Sequence, residues 1–389
     1  MQAAYTLLQQ GISILAPFFH SGFGLSLAAT GALVSCFNAG LTLSCLPSGA
    51  LVDRVGERWS VIGGSLIACL LVLATLLAQR AVILVGGLLF LAGLLSGTVS
   101  ISSGKAVFGW FDARERGLAM GVRQIAVPAG AAVASISLPL LGSLGGWQAP
   151  LALAGSLQLL AGAAFLATLR DPPGGPAPPG QPLLPALKDV LRDLQLVLTA
   201  LLSMLMVLAQ YILLAYLILY LTGEGFSGLA ASSGLLLVQI GAVLGRAFWG
   251  RVSDRAFDGA RRPVIGRLAG LAAGVVASLA ATSGGWPLWA VYLQMLALGA
   301  TALSWNGLAV TLMAELGGYR RAGAAIGLNS AAVYCGALIG APLFGAIVDA
   351  SHSFRLAWLL LAAAGLTSLI PLAFIREGRQ ARQPALITP

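Results

Sequence analysis

Gly49-Ala50-Leu51-Val52-Asp53-Arg54-Val55-Gly56-Glu57-Arg58 separates two apolar runs, and Gly250-Arg251-Val252-Ser253-Asp254-Arg255 does the same 201 residues later. Each stretch sets a glycine, a carboxylate and an arginine at the end of a run that is apolar on all sides. Outward from these breaks, the 389 residues are 58% hydrophobic and only 9% Asp, Glu, Lys and Arg, with a mean hydropathy of +0.91. Soluble domains carry about one-quarter charged residues, so this composition belongs to a membrane chain. A soluble enzyme, a secreted disulfide scaffold and a disordered chain are excluded. The long Leu, Ala and Gly runs predict an all-α membrane protein rather than a barrel.

The apolar runs predict twelve transmembrane helices at 3–20, 26–52, 59–79, 82–111, 115–142, 147–169, 195–222, 228–252, 263–283, 287–314, 323–348 and 355–375. No charged leader and no small-residue cleavage site precede the first, so a cleaved signal peptide is not expected. Of the 22 basic residues, seventeen, from Arg54 and Arg58 to Arg379 and Arg382, fall in breaks on one side, and only Arg80 and Arg355 fall on the other. The positive-inside rule then places both termini and the middle loop in the cytoplasm. The net charge of +9 is accounted for by topology, and no nucleic-acid partner is needed. Residues 171–193, with Pro172, Pro173, Pro176, Pro178, Pro179, Pro182 and Pro185, read as a semi-rigid linker. The expected organisation is an N-terminal six-helix bundle over 1–170, the linker, a C-terminal six-helix bundle over 194–375 and a polar tail over 376–389.

The two halves repeat. At an offset of 201, Gly49 to Arg54 match Gly250 to Arg255, and Asn38 falls opposite Gln239. At an offset of 206, Gly117, Ala119, Gly121 and Gly130 match Gly323, Ala325, Gly327 and Gly336, and Arg123 falls opposite Asn329. Two pseudo-symmetric bundles in one orientation predict a substrate site near mid-membrane, at the axis relating them.

The stretch Gly49, Asp53, Arg54, Gly56, Arg58 resembles the loop motif of the major facilitator superfamily, and the shorter copy at Gly250, Asp254 and Arg255 lies where that family repeats it. The resemblance spans essentially the whole chain. It implies a secondary transporter working by alternating access, with Gly49, Asp53, Arg54, Gly56 and Arg58, and in the second copy Asp254 and Arg255, forming a conformational latch at the cytoplasmic helix ends. The second copy departs from the pattern, with an extra residue between Asp258-Gly259 and Arg261-Arg262, which leaves its latch role open. In the fifth span, Ala134-Ser135 stands where drug/proton antiporters of the family carry a Gly-Pro pair, which argues against that subgroup.

Charges within the spans are costly, about 2.5–3.5 kcal/mol each on insertion scales, and are functional candidates for that reason. Lys105, Arg123 and Arg246 each lie about seven or eight residues from a cytoplasmic helix end, roughly 10–12 Å deep. Gly245-Arg246-Ala247-Phe248-Trp249-Gly250 looks like the eighth helix of monocarboxylate and oxalate/formate transporters, where the resemblance implies that the arginine takes a substrate carboxylate. A guanidinium forms a two-donor fork matched to a planar carboxylate. The alternative for Arg246 is a side chain snorkelling to the boundary. Arg123 is either a second substrate contact or the partner of a loop acid such as Glu315. Lys105 reads as a snorkelling residue. Asn38, Tyr211, Gln239, Trp305, Asn306 and Asn329 are polar or aromatic candidates for the rest of the substrate site, the alternative being interhelical hydrogen bonding.

The remaining inventory is negative. All thirteen carboxylates fall in loops or at helix ends, with Glu315 at the inner end of the tenth run the nearest exception, and His20 and His352 lie near the outer face, so a mid-membrane proton relay has no obvious members. Cys36, Cys45, Cys69 and Cys335 lie in apolar runs without metal-ligand spacing, and neither a metal, a cofactor nor a catalytic residue is expected. The function expected is transport of a small organic anion, a mono- or dicarboxylate, through the inner membrane of a bacterium by a monomer in the lipid bilayer. The alternatives are a drug or amphipath exporter, a nitrate-like inorganic anion transporter, and a non-transporting receptor or scaffold.

Overall fold

The computed structural model describes residues 1–25, 27–78, 81–112, 114–168 and 183–377, and all regular structure among them is helical. Eleven helices of these residues are long and apolar enough to cross a membrane, and they fall on the second to twelfth predicted runs. By that numbering, span 2 is Leu27–Val55, span 3 Glu57–Leu77, span 4 Val82–Trp110, span 5 Arg116–Gly145 and span 6 Gln148–Thr168. Spans 7 to 9 are Leu194–Gly223, Gly228–Ala256 and Arg262–Leu279; spans 10 to 12 are Leu288–Gly318, Arg320–Ser351 and Phe354–Phe374.

The first predicted run differs: it forms two shorter helices, Gln2–Ile14 and Ala16–Phe23, broken at Leu15. Pro17 explains the break, since it offers no amide and its ring crowds the carbonyl four residues earlier. The proline-rich linker also differs where it is described, because Leu183–Arg192 is a helix with Ala186 and Val190 buried along one side. Arg80, residues 171–182 of the linker and residues 378–389 of the tail lie outside the described residues.

Several helix starts are written locally. Asp193 accepts the Gln195 amide at 3.0 Å to open span 7, Ser227 accepts that of Ala230 at 3.2 Å to open span 8, and Ser353 accepts that of Leu356 at 3.3 Å to open span 12. Each is a side-chain cap on an amide that has no carbonyl partner within its own helix.

The helices pack into two compact units. Unit 1 comprises residues 1–110, 126–190 and 317–330; unit 2 comprises 111–125, 191–316 and 331–389. Each unit thus contains one helix start from the opposite half of the sequence: the beginning of span 11 in unit 1, and the beginning of span 5 in unit 2. Within unit 1 the most extensive packing is between spans 2 and 4, and within unit 2 it is between spans 8 and 10, the corresponding pair of the repeat.

Glycine makes both crossings possible. A β-carbon at Gly40 would overlap the carbonyl oxygen of Phe90, and one at Gly93 that of Phe37. In unit 2, Gly241 meets the carbonyl of Leu296 and Gly299 that of Val238. All four partners of the first crossing map onto those of the second by the offsets of 201 and 206. The repeat therefore extends to the backbone contacts of the core, in the small-residue manner of membrane helix pairs.

Gly299→Ala is expected to destabilise the protein by about 1–3 kcal/mol, the cost of overpacking against backbone that cannot move aside. Gly274 in span 9 has open space at its β-carbon position, so Gly274→Ala is expected to hold or raise stability by about 0.5–1 kcal/mol. Thermal melts of the two purified variants check the contrast.

Candidate functional site

Span 10 is interrupted between Ala302 and Asn306, and the interruption builds a polar cluster. The first residue of the interruption, Leu303, has φ −107° and ψ 0°, so its carbonyl leaves the helical ladder. Arg246 of span 8 donates from Nε to that carbonyl at 3.2 Å and from Nη1 to the carbonyl of Gln124, in span 5, at 2.7 Å. One turn along, Trp249 Nε1 donates to the Ala300 carbonyl at 2.8 Å. The Gln124 side chain then links two further candidates: its Nε2 donates to Asn306 Oδ1 at 2.7 Å, and its Oε1 accepts from Arg123 Nη1 at 3.1 Å.

Arg246 is buried, with 5% of its surface exposed, and does not snorkel. Among the described residues no carboxylate pairs with it. Trp305 is wholly buried in an apolar cluster that includes Leu202, Met206 and Leu312, with Tyr211 packed against its edge; its Nε1 has no hydrogen-bond partner. Gln239 is half-buried on span 8. Arg123, Arg246, Trp305, Asn306, Tyr211 and Gln239 all belong to unit 2, whereas Asn38, half-buried, and Asn329, buried, belong to unit 1. Gln124, which joins the two arginines, was not singled out by the sequence. Its signal was adjacency to Arg123 in a run of small residues.

The repeated loop motif forms two further clusters. In unit 1 the Asp53 carboxylate accepts the backbone amides of Gly323 at 2.8 Å and Ala324 at 2.7 Å. These amides lie near the start of span 11, at the positive end of its helix dipole, so a carboxylate there is favoured. In unit 2 the Asp254 carboxylate accepts the amides of Gly117 at 3.0 Å and Leu118 at 2.7 Å. Glycines allow the approach, because β-carbons at Gly49 and Gly250 would overlap the carbonyls of Gly323 and Gly117. The second copy, despite its extra residue, makes the same contact as the first.

The cations that balance these acids come from different helices. Asp53 pairs with Lys105 Nζ of span 4 at 3.0 Å, and Glu57 lies 3.6 Å from the same nitrogen. Lys105 is 1% exposed, so the snorkelling expected of it does not occur: two carboxylates hold it inside. Asp254 pairs instead with Arg261, which reaches Glu315 of span 10 at 3.2 Å through its other terminal nitrogen. Glu315 is therefore tied to Arg261 and not to Arg123. Burial works to depress the Arg261 guanidinium, but Glu315 and Asp254 outweigh it and hold its pKa above the ordinary value. Arg54, Arg58 and Arg255 are exposed, and among the described residues none forms an ion pair with Asp53 or Asp254.

Loop geometry explains the difference. After span 2, Gly56 alone turns the chain, at φ 88°. After span 8 the turn uses two residues with positive φ, Asp258 and Gly259, and the Gly259 amide returns to the Ser253 carbonyl at 2.9 Å. Ser253 Oγ also donates to the Ala260 carbonyl at 3.0 Å and accepts from Arg261 at 2.9 Å. The extra residue thus brings Arg261 back onto Asp254.

A helical membrane chain with a twofold-repeated bundle, an interrupted helix and mirrored helix-end clusters has the build of a secondary transporter. Residues 1–320 match the Major Facilitator Superfamily, and the chain belongs to that family. It is a transporter and not an enzyme. It is 28% identical over 387 residues to the uncharacterized MFS-type transporter Rv2994 of Mycobacterium tuberculosis, covering 98% of this chain and 84% of the relative. A shorter match, 33% over 109 residues, is to the uncharacterized transporter YybO of Bacillus subtilis, 28% of this chain and 25% of that one. Among solved structures it is similar to the fucose:proton symporter FucP of Escherichia coli, with a TM-score of 0.76 at 18% identity and 97% of each chain covered. The proton:xylose symporter XylE gives a TM-score of 0.70 at 17% identity, covering 98% of this chain and 96% of that one. These likenesses establish the fold.

Lys105→Met leaves Asp53 and Glu57 together without their shared cation, and is expected to cost about 3–5 kcal/mol, the penalty of breaking a buried pair. Adding Asp53→Asn to that variant is expected to recover part of the loss. Melting temperatures of the single and double variants decide it, and equal losses would mean that the lysine is not held by Asp53.

Proposed function

We propose that this transporter carries a small organic anion, a mono- or dicarboxylate, across the inner membrane of a bacterium by alternating access, with both termini in the cytoplasm. The observation that supports this most directly is the buried Arg246 guanidinium, which has backbone carbonyls around it and no carboxylate among the described residues. A buried charge without a counter-ion is costly, and two carbonyl dipoles do not neutralise it. An incoming carboxylate would. Arg123, linked to the same Gln124, adds a second positive charge, while Asn306, Trp305, Tyr211 and Gln239 complete the candidate set. Neither Lys105 nor Arg261 competes for the role, since each already has two carboxylates.

Alternating access requires helix ends that bind and release. Asp53 and Asp254 are the proposed latches, each holding the first amides of a helix from the opposite half of the sequence. Such contacts release at the cost of a few charge-assisted hydrogen bonds, which suits a cycle that must make and break them at every turn.

Thermal shift of the purified protein against small carboxylates, nitrate, sugars and cationic drugs tests the substrate class, because a ligand stabilises in proportion to RT ln(1 + [L]/Kd) in whichever direction it is carried. Carboxylates are expected to stabilise; stabilisation by drugs or sugars alone would refute the anion reading, and by nitrate alone would replace carboxylate with an inorganic anion. Arg246→Lys keeps the charge but loses the fork, and should weaken binding of the best carboxylate roughly 10- to 150-fold, the equivalent of one charge-assisted hydrogen bond of about 1.5–3 kcal/mol. Undiminished affinity in the lysine variant would leave only a diffuse positive potential.

Asp53→Asn and Asp254→Asn should each slow exchange in liposomes loaded with that carboxylate while leaving its Kd within about threefold, because neither side chain is a proposed substrate contact. Wild-type exchange rates in both variants would return the two aspartates to plain helix caps.

A further inference from the structure

The chain leaving span 12 does not trail away from the bundle. Ile375 is fully buried in the cluster around Trp305 and Leu308. Gln195, at the start of span 7, clasps the backbone on both sides of it: its Oε1 accepts the Arg376 amide at 2.6 Å and its Nε2 donates to the Phe374 carbonyl at 3.4 Å. Arg262 Nη2 donates to the Ala373 carbonyl at 2.9 Å. The expected polar tail is therefore anchored through Glu377.

Glu377 Oε1 accepts two backbone amides, those of Arg261 at 2.7 Å and Arg262 at 2.6 Å. Arg261 is the residue preceding span 9, and no side chain of the local sequence caps that helix. Pro263 has no amide to give, and the Val264 amide returns to the Arg261 carbonyl at 3.2 Å. The start of span 9 is thus capped from more than a hundred residues away, by a carboxylate placed at the positive end of the helix.

Arg261 carries two jobs at once. Its backbone amide is held by Glu377, and its side chain bridges Ser253, Asp254 and Glu315. Asp254 in turn holds the amides of Gly117 and Leu118. We propose that Glu377 is a positioning residue for the Asp254 latch: the segment after span 12 straps the start of span 9 in place, orients Arg261 and thereby sets how firmly Asp254 holds span 5. Among the described residues no such strap is seen for the Asp53 latch, whose cation, Lys105, sits inside span 4. The proposal rests on the reading of Asp254 as a latch, but the contact it concerns is measurable without any substrate.

Hydrogen exchange of the full-length protein in lipid nanodiscs, read at the peptides containing Gly117-Leu118, Gly323-Ala324 and Arg261-Arg262, supplies the test. First-turn amides lack intrahelical partners, so protection at Gly117 and Leu118 reports the Asp254 contact itself. Glu377→Ala is expected to speed exchange at Arg261-Arg262 and, further away, at Gly117-Leu118 by about twofold at least, the factor produced by the weakest couplings within one ion-pair network. Gly323-Ala324 should not change. Glu377→Gln, which keeps an acceptor oxygen without the charge, should fall between wild type and alanine at both responding sites. Faster exchange at Arg261-Arg262 with Gly117-Leu118 unchanged would reduce Glu377 to a local helix cap and overturn the proposal. Equal acceleration at Gly323-Ala324 would also overturn it, since that pattern signals general loosening. Failure of the latch reading is seen separately, as Asp254→Asn that unprotects Gly117-Leu118 yet exchanges substrate at the wild-type rate.

Discussion

A carboxylate aimed at the first amides of a helix from the opposite half of the sequence is the interaction on which the rest of this structure turns. It is made twice, by Asp53 and by Asp254, with amide distances between 2.7 and 3.0 Å. Each contact sets a negative charge against the positive end of a helix dipole, and the Asp254 contact also satisfies first-turn donors that span 5 cannot pair for itself. Glycine has to stand at both sides of the crossing, because a β-carbon there would occupy a carbonyl oxygen. The Gly-x-x-x-Asp spacing thus has a physical reason: one turn of helix separates the residue that permits approach from the residue that exploits it.

Burying those aspartates calls for cations, and the two halves supply them differently. Lys105 comes from within a span and is shared by Asp53 and Glu57; Arg261 comes from a loop and is shared by Asp254 and Glu315. Each is a positive charge between two negative ones, but donor and acceptor have exchanged helices. A lysine point charge suits the first site, where one nitrogen serves both acids. The arginine fork suits the second, where separate nitrogens of one planar group reach Asp254 and Glu315. The repeat conserves the electrostatic outcome and lets the sequence positions drift.

Arg246 stands apart from both clusters. Its charge is buried against the Leu303 carbonyl, freed by the interruption of span 10, and the Gln124 carbonyl of span 5, and the anion proposed as substrate would supply the negative charge that these two dipoles do not. Discontinuous helices provide such carbonyls in transporters because irregular backbone in a membrane has to be satisfied by a partner or a ligand.

The membrane class, the span positions, the repeat and the candidate charges were legible in the sequence, because each is a local property: hydropathy sets helix length, and a motif repeats in register with itself. Pro17 breaking the first run was legible too, though the apolar count concealed it. The two repeat offsets even contained both sides of the central contact, the aspartates at 201 and the Gly117 and Gly323 helix starts at 206, without any sign that one set binds the other. That pairing, Lys105 held inside instead of snorkelling, Arg261 returning to Asp254 and Glu377 capping span 9 were decided only by tertiary structure. Three of the four join residues far apart in the chain, and the fourth, Arg261 to Asp254, depends on a loop with two positive-φ residues; a charge's burial depends on the partner that packing brings to it, which no local pattern encodes.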